Sequence, residues 1–357
     1  MMEKHAYLLV TDLHDLGHTK NNRQNYHVEI NAIKKKILET VLTYQQAGWK
    51  VFVIFLGDVF DRGYKDALFR AITANNYFVV LRQQCEVFSV VGNHELSFYN
   101  NNPFYTLITE IESEKVKAVT NKIWTPQGTL PLLRVVDRIE DGDLVIHFNH
   151  YGTPPGSAVA GKYNVGLFHQ EVVCREILQE VERKAGNIFV RNPVDDFDNT
   201  DFFDGFDACF FGHLHKVYGT WVYRRSESDN PCDLVYLASL GRPAQDEVND
   251  SFLERDIPAL LVEDGKYCGY EHNVFQLLPR SESVREDVVA LEQTTYRKTK
   301  ELHQQIGLEF GDCNPMEGIR RRCITERQLT IFDEYAQYGT SQSCERVLRE
   351  VKNKFGG

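Results

Sequence analysis

The chain has 357 residues, 42% hydrophobic and 25% charged, an ordinary globular composition that excludes a disordered or collagen-like chain. Its longest apolar stretches, Val51–Leu56 and, broken only by Ser89, Val87–Val91, are strand-sized and fall far short of the ~20 residues of a membrane span, so no membrane segment is expected. The net charge of −11 lies in residues 1–279, because 280–357 is charge-balanced; a nucleic-acid partner would therefore have to be met by a local basic patch, by bound cations or by another subunit.

In chain order, Ala6–Val10 predicts a buried strand, and Val28–Gln46 a helix through Ile30, Ile33, Ile37, Val41 and Tyr44, stopped at Gly48. Lys50–Leu56 predicts a second buried strand, Tyr64–Gln84 a helix and Glu86–Val91 a third strand. Continuous apolar strands separated by helices point to a sheet covered on both faces. Leu132–Ile139 and Asp143–Tyr151 flank Glu140–Asp141–Gly142, a hairpin signal. Tyr163–Phe168 reads as a strand, Glu171–Lys184 as a helix and Asp207–Phe211 as a strand. Trp221–Arg224, Leu234–Ala238, Ala259–Val262 and Tyr267–Phe275 read as later strands. Beyond Pro279 the pattern turns helical, which sets a core domain over 1–279 and a helical C-terminal extension over 280–357. The eight cysteines are scattered without a C-x-x-C pair, and Met1–His5 is too short for a secretory leader; free thiols and a cytoplasmic location are expected.

Polar clusters follow these strands, where open α/β sheets place their ligands. They are Asp12-Leu13-His14, Gly57-Asp58-Val59-Phe60-Asp61-Arg62-Gly63, Gly92-Asn93-His94-Glu95, His169-Gln170 and Gly212-His213-Leu214-His215. Residues two apart on an extended backbone point the same way, so Asp12 with His14, and His213 with His215, can each chelate one ion. Asp58 has two carboxylate oxygens and can bridge two ions, while Asn93 offers a neutral oxygen. A mixed carboxylate, amide and imidazole set suits Mn²⁺, Fe²⁺, Zn²⁺ or Ni²⁺ rather than Ca²⁺. His147 and His150, on the second arm of the hairpin, compete with His169 for one ligand position, and the strand-end context favours His169.

The motif series D-x-H, G-D-x-x-D, G-N-H, H and G-H-x-H resembles the calcineurin-like metallophosphoesterase superfamily over residues 6 to about 275. The resemblance implies an α/β fold, a four-layer α/β/β/α sandwich, with two divalent metal ions, Mn²⁺ first among them, at one edge. It implies one metal on Asp12, His14, Asp58 and His215, and a second on Asp58, Asn93, His169 and His213. It further implies that His94 protonates the leaving oxygen or steadies the transition state, oriented by Asp61. Arg62 would contact substrate phosphate, as the motif arginine does in the serine/threonine protein phosphatases. Those phosphatases, however, have Arg-Gly where this chain has Val91-Gly92, and lack the terminal G-H-x-H.

His169-Gln170 and Tyr236–Gly241, with Glu247 beyond, are instead similar to DNA double-strand-break repair nucleases of the SbcD type. That likeness implies a phosphodiesterase acting on DNA, a homodimer, and an ATPase partner docked through C-terminal helices, where Arg320-Arg321-Arg322 forms a small basic patch. The chain itself has no P-loop. The alternatives are a phosphomonoesterase, of protein-phosphatase or nucleotide-phosphatase type, and a non-catalytic scaffold on the same fold. A scaffold is usually marked by a lost ligand, and every motif position here is filled.

Overall fold

A computed structural model describes residues 3–15, 26–60, 77–95, 109–120, 133–170, 203, 205–215, 218–223, 231–242 and 253–283. All of them belong to one compact unit, Met1–Arg285. The expected helix Glu171–Lys184 and all but the first residues of the expected extension from 280 lie outside the described residues.

Two large sheets carry the fold. The parallel centre of the first is β1 (Lys4–Val10), β2 (Lys50–Phe55), β3 (Glu86–Ser89), β5 (Leu133–Val135) and β4 (Thr109–Ile111), and β13 (Ala259–Glu263) and β14 (Lys266–Glu271) add an antiparallel edge. Its seven strands run in the order β14-β13-β1-β2-β3-β5-β4. The second sheet is built from β6 (Arg138–Asp141), β7 (Leu144–Asn149), β8 (Tyr163–Phe168), β9 (Ala208–Phe211), β10 (Gly219–Tyr223) and β11 (Cys232–Tyr236), with β7, β8, β9 and β11 mutually parallel. Its six strands run in the order β10-β11-β9-β8-β7-β6. Short strands β12 (Glu254–Asp256) and β15 (Val274–Gln276) pair separately.

Alternation along the strands builds the layers. Ala6, Leu8 and Val10 of β1, with Val51, Val53 and Phe55 of β2, face α1 (Tyr26–Gln46) through Ile30, Ile33, Ile37 and Val41. The alternate residues Tyr7, Leu9, Phe52 and Ile54 face the second sheet and pack on Ile146, Phe148, Val165, Leu167 and Phe210. This apolar seam between the sheets is what makes a sandwich rather than one doubly wound sheet. On the outer face of the second sheet a third cluster gathers Phe168, Phe211 and Tyr236 with Phe203 and Phe206.

α1 ends as its sequence suggests. Gly48 adopts φ 87°, its N–H donates to the Gln45 carbonyl, and the Trp49 N–H donates back to Tyr44, which closes the last turn. The expected helix Tyr64–Gln84 is described over 77–84 as α2, its positions 64–76 lying outside the described residues, and α3 is Glu114–Thr120.

Two expected strands divide. Leu132–Ile139 becomes β5 in the first sheet and β6 in the second, because the Asp137 carboxylate between them accepts from Ser113 Oγ at 2.6 Å and from the Glu114 N–H at 3.2 Å. Tyr267–Phe275 breaks after Glu271, where the Asp256 carboxylate holds the His272 ring at 2.5 Å and the Asn273 N–H at 2.8 Å. Cys85, Cys209 and Cys232 are free and buried, whereas Cys268 is free and exposed. Among the described residues no helix is long and apolar enough to cross a membrane.

Candidate metal centre

Parallel strands of both sheets end at one edge of the sandwich, and the motif residues stand just beyond those ends. Asp12 and His14 follow β1, Asp58 follows β2, Asn93 and His94 follow β3, His169 follows β8, and His213 and His215 follow β9. The turns there are tight. Asp12, His14, Asp58 and His213 all adopt left-handed backbone conformations, with φ 38°, 47°, 47° and 75°. Such angles cost a non-glycine residue on the order of 1–3 kcal/mol and persist only where the surroundings enforce them. The enforcing contacts are visible: the His14 N–H donates to the Asp58 carbonyl at 2.9 Å, the Asp15 N–H to Val59 at 2.8 Å, and the His213 N–H to both Asp12 oxygens at 3.1 and 3.0 Å.

Gly57 (φ 93°) is required twice over. A Cβ there would sit 2.5 Å from His169 Nδ1 and 3.0 Å from the Gly92 Cα, so the two strand-end loops approach too closely for any side chain.

Three groups of side chains each bring their ligand atoms within 4.8 Å of one another: Asp12, His14 and His215; His14, Asp58 and His94; and Asp58, His169 and His213. Asp58 Oδ2 is the shared atom, 3.3 Å from His169 Nε2 and 3.8 Å from both His14 Nε2 and His94 Nε2. Asn93 Oδ1 joins at 3.3 Å from His169 Nε2. On the other side His215 Nε2 lies 3.5 Å from Asp12 Oδ1 and 2.9 Å from His14 Nε2. Two carboxylates and several imidazoles converging at one point make a donor set that fits divalent transition metals. Asp12, His14, Asp58 and His215 could hold one cation, and Asp58, Asn93, His169 and His213 a second.

Buried carboxylates would ordinarily hold their protons. Burial does act that way on Asp12 and Asp58, but the adjacent imidazoles, His169 foremost, outweigh it and keep both well below the usual carboxylate range. The reciprocal holds at His169, where burial favours the neutral ring, yet Asp58 and Asp12 push its pKa up to about 9. His14 goes the other way: burial first, then His215, bring it down to about 4. Without a cation, then, a proton on His169 balances one of the two aspartate charges.

The competing histidines are placed elsewhere. His150 is buried with Nδ1 accepting the Val91 N–H at 3.0 Å and Nε2 donating to the Val136 carbonyl at 3.1 Å. His147 Nε2 pairs with Asn164 Oδ1 at 3.0 Å, its ring edge-on to Phe206. His169 is the one that reaches Asp58, its Nδ1–H donating to the Leu56 carbonyl at 2.6 Å and leaving Nε2 toward the cluster. Asp61 and Arg62 lie outside the described residues.

Two residues of the site had no assigned role in the sequence. Ser239 donates its hydroxyl to the Asp12 carbonyl at 2.9 Å, supporting the first loop from the end of β11. Glu95 is fully buried beneath the centre and accepts backbone N–H groups. An acidic residue directly after Gly92-Asn93-His94 at the end of an apolar strand is the one signal that could have marked it.

The chain matches the family model for calcineurin-like phosphoesterases over residues 6–217. No curated protein matches it. Among solved structures it is similar to a 5'-nucleotidase precursor from Thermus thermophilus, at 12% identity and TM-score 0.34, over 85% of this chain and 60% of that one. A dimetal phosphatase from Danio rerio is similar at 11% identity and TM-score 0.40, over 77% of this chain and 99% of that one. A cold-active protein-tyrosine phosphatase from a psychrophilic Shewanella is similar at 13% identity and TM-score 0.25, over 75% and 80% of the two chains. The chain thus spans about 60% of the length of the Thermus protein. With its motif residues assembled at one sandwich edge and more than half its length matched, it belongs to the calcineurin-like phosphoesterase family, whose members are metal-dependent phosphoesterases.

Proposed function

We propose that the chain hydrolyses phosphodiester bonds at a two-metal centre, with DNA as its substrate. The observation that supports this reading best is the position of Asp58 Oδ2 between two donor sets, within 3.8 Å of His14, His94 and His169. Two divalent cations held there, with Mn²⁺ the leading candidate, would activate water and neutralise charge developing at phosphorus.

The protein's own groups do the rest. His94 donates its backbone N–H to Asp58 Oδ1 at 2.9 Å, which holds its main chain against the shared carboxylate. That side chain is 17% exposed, where those of His14 and Asp58 are 3% and 2% exposed, so it stands at the open side of the cluster and can donate a proton to a departing oxygen. His169-Gln170 and the Ser239-Leu240-Gly241 element add the sequence likeness to repair nucleases. The second reading, a phosphomonoesterase, is favoured by Arg62 in Gly57–Gly63.

The test compares Mn²⁺-dependent hydrolysis of bis-p-nitrophenyl phosphate with that of p-nitrophenyl phosphate, using His94→Ala as the blank, and follows with single- and double-stranded DNA. Faster turnover of the diester and degradation of DNA are expected. A monoester preference would overturn the diesterase reading and bring Arg62 forward. DNA left intact by the Mn²⁺-loaded protein, alone and with an ATPase partner, would overturn the nuclease reading.

A further inference from the structure

Glu95 sits against the centre and accepts from the backbone of two of its loops, yet it stands in none of the three donor groups. Its Oε2 accepts the Asp58 N–H at 2.8 Å and the Gly92 N–H at 2.9 Å, and its Oε1 accepts the Phe60 N–H at 3.3 Å. One buried carboxylate thereby joins the loop after β2 to the loop after β3. The return connection runs through Asp58, whose Oδ1 accepts the His94 N–H at 2.9 Å. The two loops are latched reciprocally, each contributing a carboxylate to the other's backbone.

The latch has a consequence for one atom. With the Asp58 main chain held by Glu95 and its Oδ1 held by His94, the remaining oxygen, Oδ2, is the one directed at His14, His94 and His169. Asp58 is also in the left-handed region, at φ 47°, so its N–H needs an acceptor that keeps the turn from relaxing. Space is tight as well. A Cβ on Gly92 would meet both Asp58 and Glu95 Oε2, the latter at 2.7 Å, so the carboxylate fills the gap between the loops.

From this we infer that Glu95 is a positioning residue: it sets the placement of Asp58 Oδ2, and hence the spacing of the two donor sets, without touching substrate. The inference rests on the two-metal reading above. Outer groups that orient ligands change metal affinity or activity by about 10–100-fold when removed, whereas a staple that only adds stability changes neither in the folded protein.

The full chain carrying Glu95→Ala, Glu95→Gln or no change is compared by Mn²⁺ titration calorimetry, by kcat and KM on bis-p-nitrophenyl phosphate, and by thermal unfolding. Glu95→Ala is expected to weaken Mn²⁺ binding and to lower kcat by about 10–100-fold each, with KM within about twofold. Glu95→Gln recovers part of both, because its amide oxygen can still accept from Asp58 and Gly92 while its NH₂ opposes the Phe60 N–H. Wild-type Mn²⁺ affinity and kcat in Glu95→Ala, with only the unfolding temperature lowered, would overturn the inference. If Glu95→Ala does not fold, Glu95→Gln decides: wild-type affinity and kcat in that variant overturn it, and a loss in both at unchanged KM supports it. Failure of the unsubstituted protein to bind Mn²⁺ or to hydrolyse either ester would instead sink the two-metal reading itself.

Discussion

The Nε2 atoms of His14 and His215 stand 2.9 Å apart, although 201 positions separate the two residues in the chain. Two ring nitrogens at that distance need a proton or a cation between them. Burial and His215 together bring the His14 pKa down to about 4, so at neutral pH that ring offers a lone pair rather than a charge. Asp12 Oδ1 lies 3.5 Å from His215 Nε2, which adds a negative group to the same point. A site shaped this way gains from a cation, and the strained backbone at Asp12 and His14 shows how tightly that shape is held.

Substituting His94 separates binding from turnover. His94→Ala is expected to retain the metal content of the unsubstituted protein, because both donor sets are complete without it, while kcat falls by about 10²–10⁴-fold. Metal analysis and bis-p-nitrophenyl phosphate hydrolysis on the same preparation check this. Undiminished turnover would remove His94 from the mechanism.

Gly57→Ala tests the close approach of the strand ends. The added methyl would lie 2.5 Å from His169 Nδ1 on a backbone at φ 93°. His169 or the loop must move, and Mn²⁺ affinity is expected to drop by at least about tenfold. Calorimetric titration measures it; unchanged affinity would mean the loop has room that the structure denies.

Away from the centre, Arg242 and Glu29 form a fully buried ion pair that ties the segment after β11 to α1. Arg242 Nε meets Glu29 Oε2 at 2.9 Å, the Arg242 N–H meets Oε1 at 3.0 Å, and one guanidinium nitrogen also reaches the Leu278 carbonyl at 2.7 Å. Glu29→Ala takes the carboxylate away from that buried guanidinium and is expected to destabilise the protein by about 3–5 kcal/mol. Urea unfolding checks it, and a change below about 1 kcal/mol would contradict it.

His150 predicts a pH dependence. Burial holds its pKa down to about 4, partly opposed by Asp137, against 6.5 for an ordinary histidine. Between pH 4 and 6.5 the unfolded chain binds a proton at this residue and the folded protein does not, so stability from this residue rises with pH across that window. The contribution is about 3 kcal/mol, lost as pH falls from about 6.5 to about 4. Urea midpoints in EDTA should fall more steeply from about pH 7 to about pH 4.5 for the unsubstituted chain than for His150→Gln. Equal slopes would contradict it.

The sequence exposed the sandwich and its edge unevenly. Strands with long apolar runs, such as β1 and β2, were legible because burial on both faces removes polar residues. The hairpin β6–β7 was legible from Asp141-Gly142, and Asp141 does pair with Leu144 across the turn. β4 and β12, of three residues each, are too short to carry a period. The breaks at Asp137 and His272 depend on partners far away in the chain, Ser113 and Asp256, which no local pattern encodes.

At the site, the places of Asp12, His14, Asp58, Asn93, His94, His213 and His215 just beyond strand ends were legible because an apolar strand precedes each motif, with a glycine directly before Asp58, Asn93 and His213. What separates His169 from His147 and His150 is their three-dimensional partners. His150 is claimed by Val91 and Val136, and His147 by Asn164, while the carbonyl of Leu56 turns His169 toward Asp58. Glu95 was written in the motif but silent, since a carboxylate that binds backbone N–H groups reads in sequence like one that binds a metal.

The most direct test of the two-metal centre is the metal content of the purified chain after Mn²⁺ loading and desalting, measured beside Asp58→Asn. About two transition-metal ions per unsubstituted chain, falling to one or none when the shared carboxylate becomes an amide, is the expected result. No bound metal in the unsubstituted chain, or two ions retained by Asp58→Asn, would contradict a centre built around Asp58.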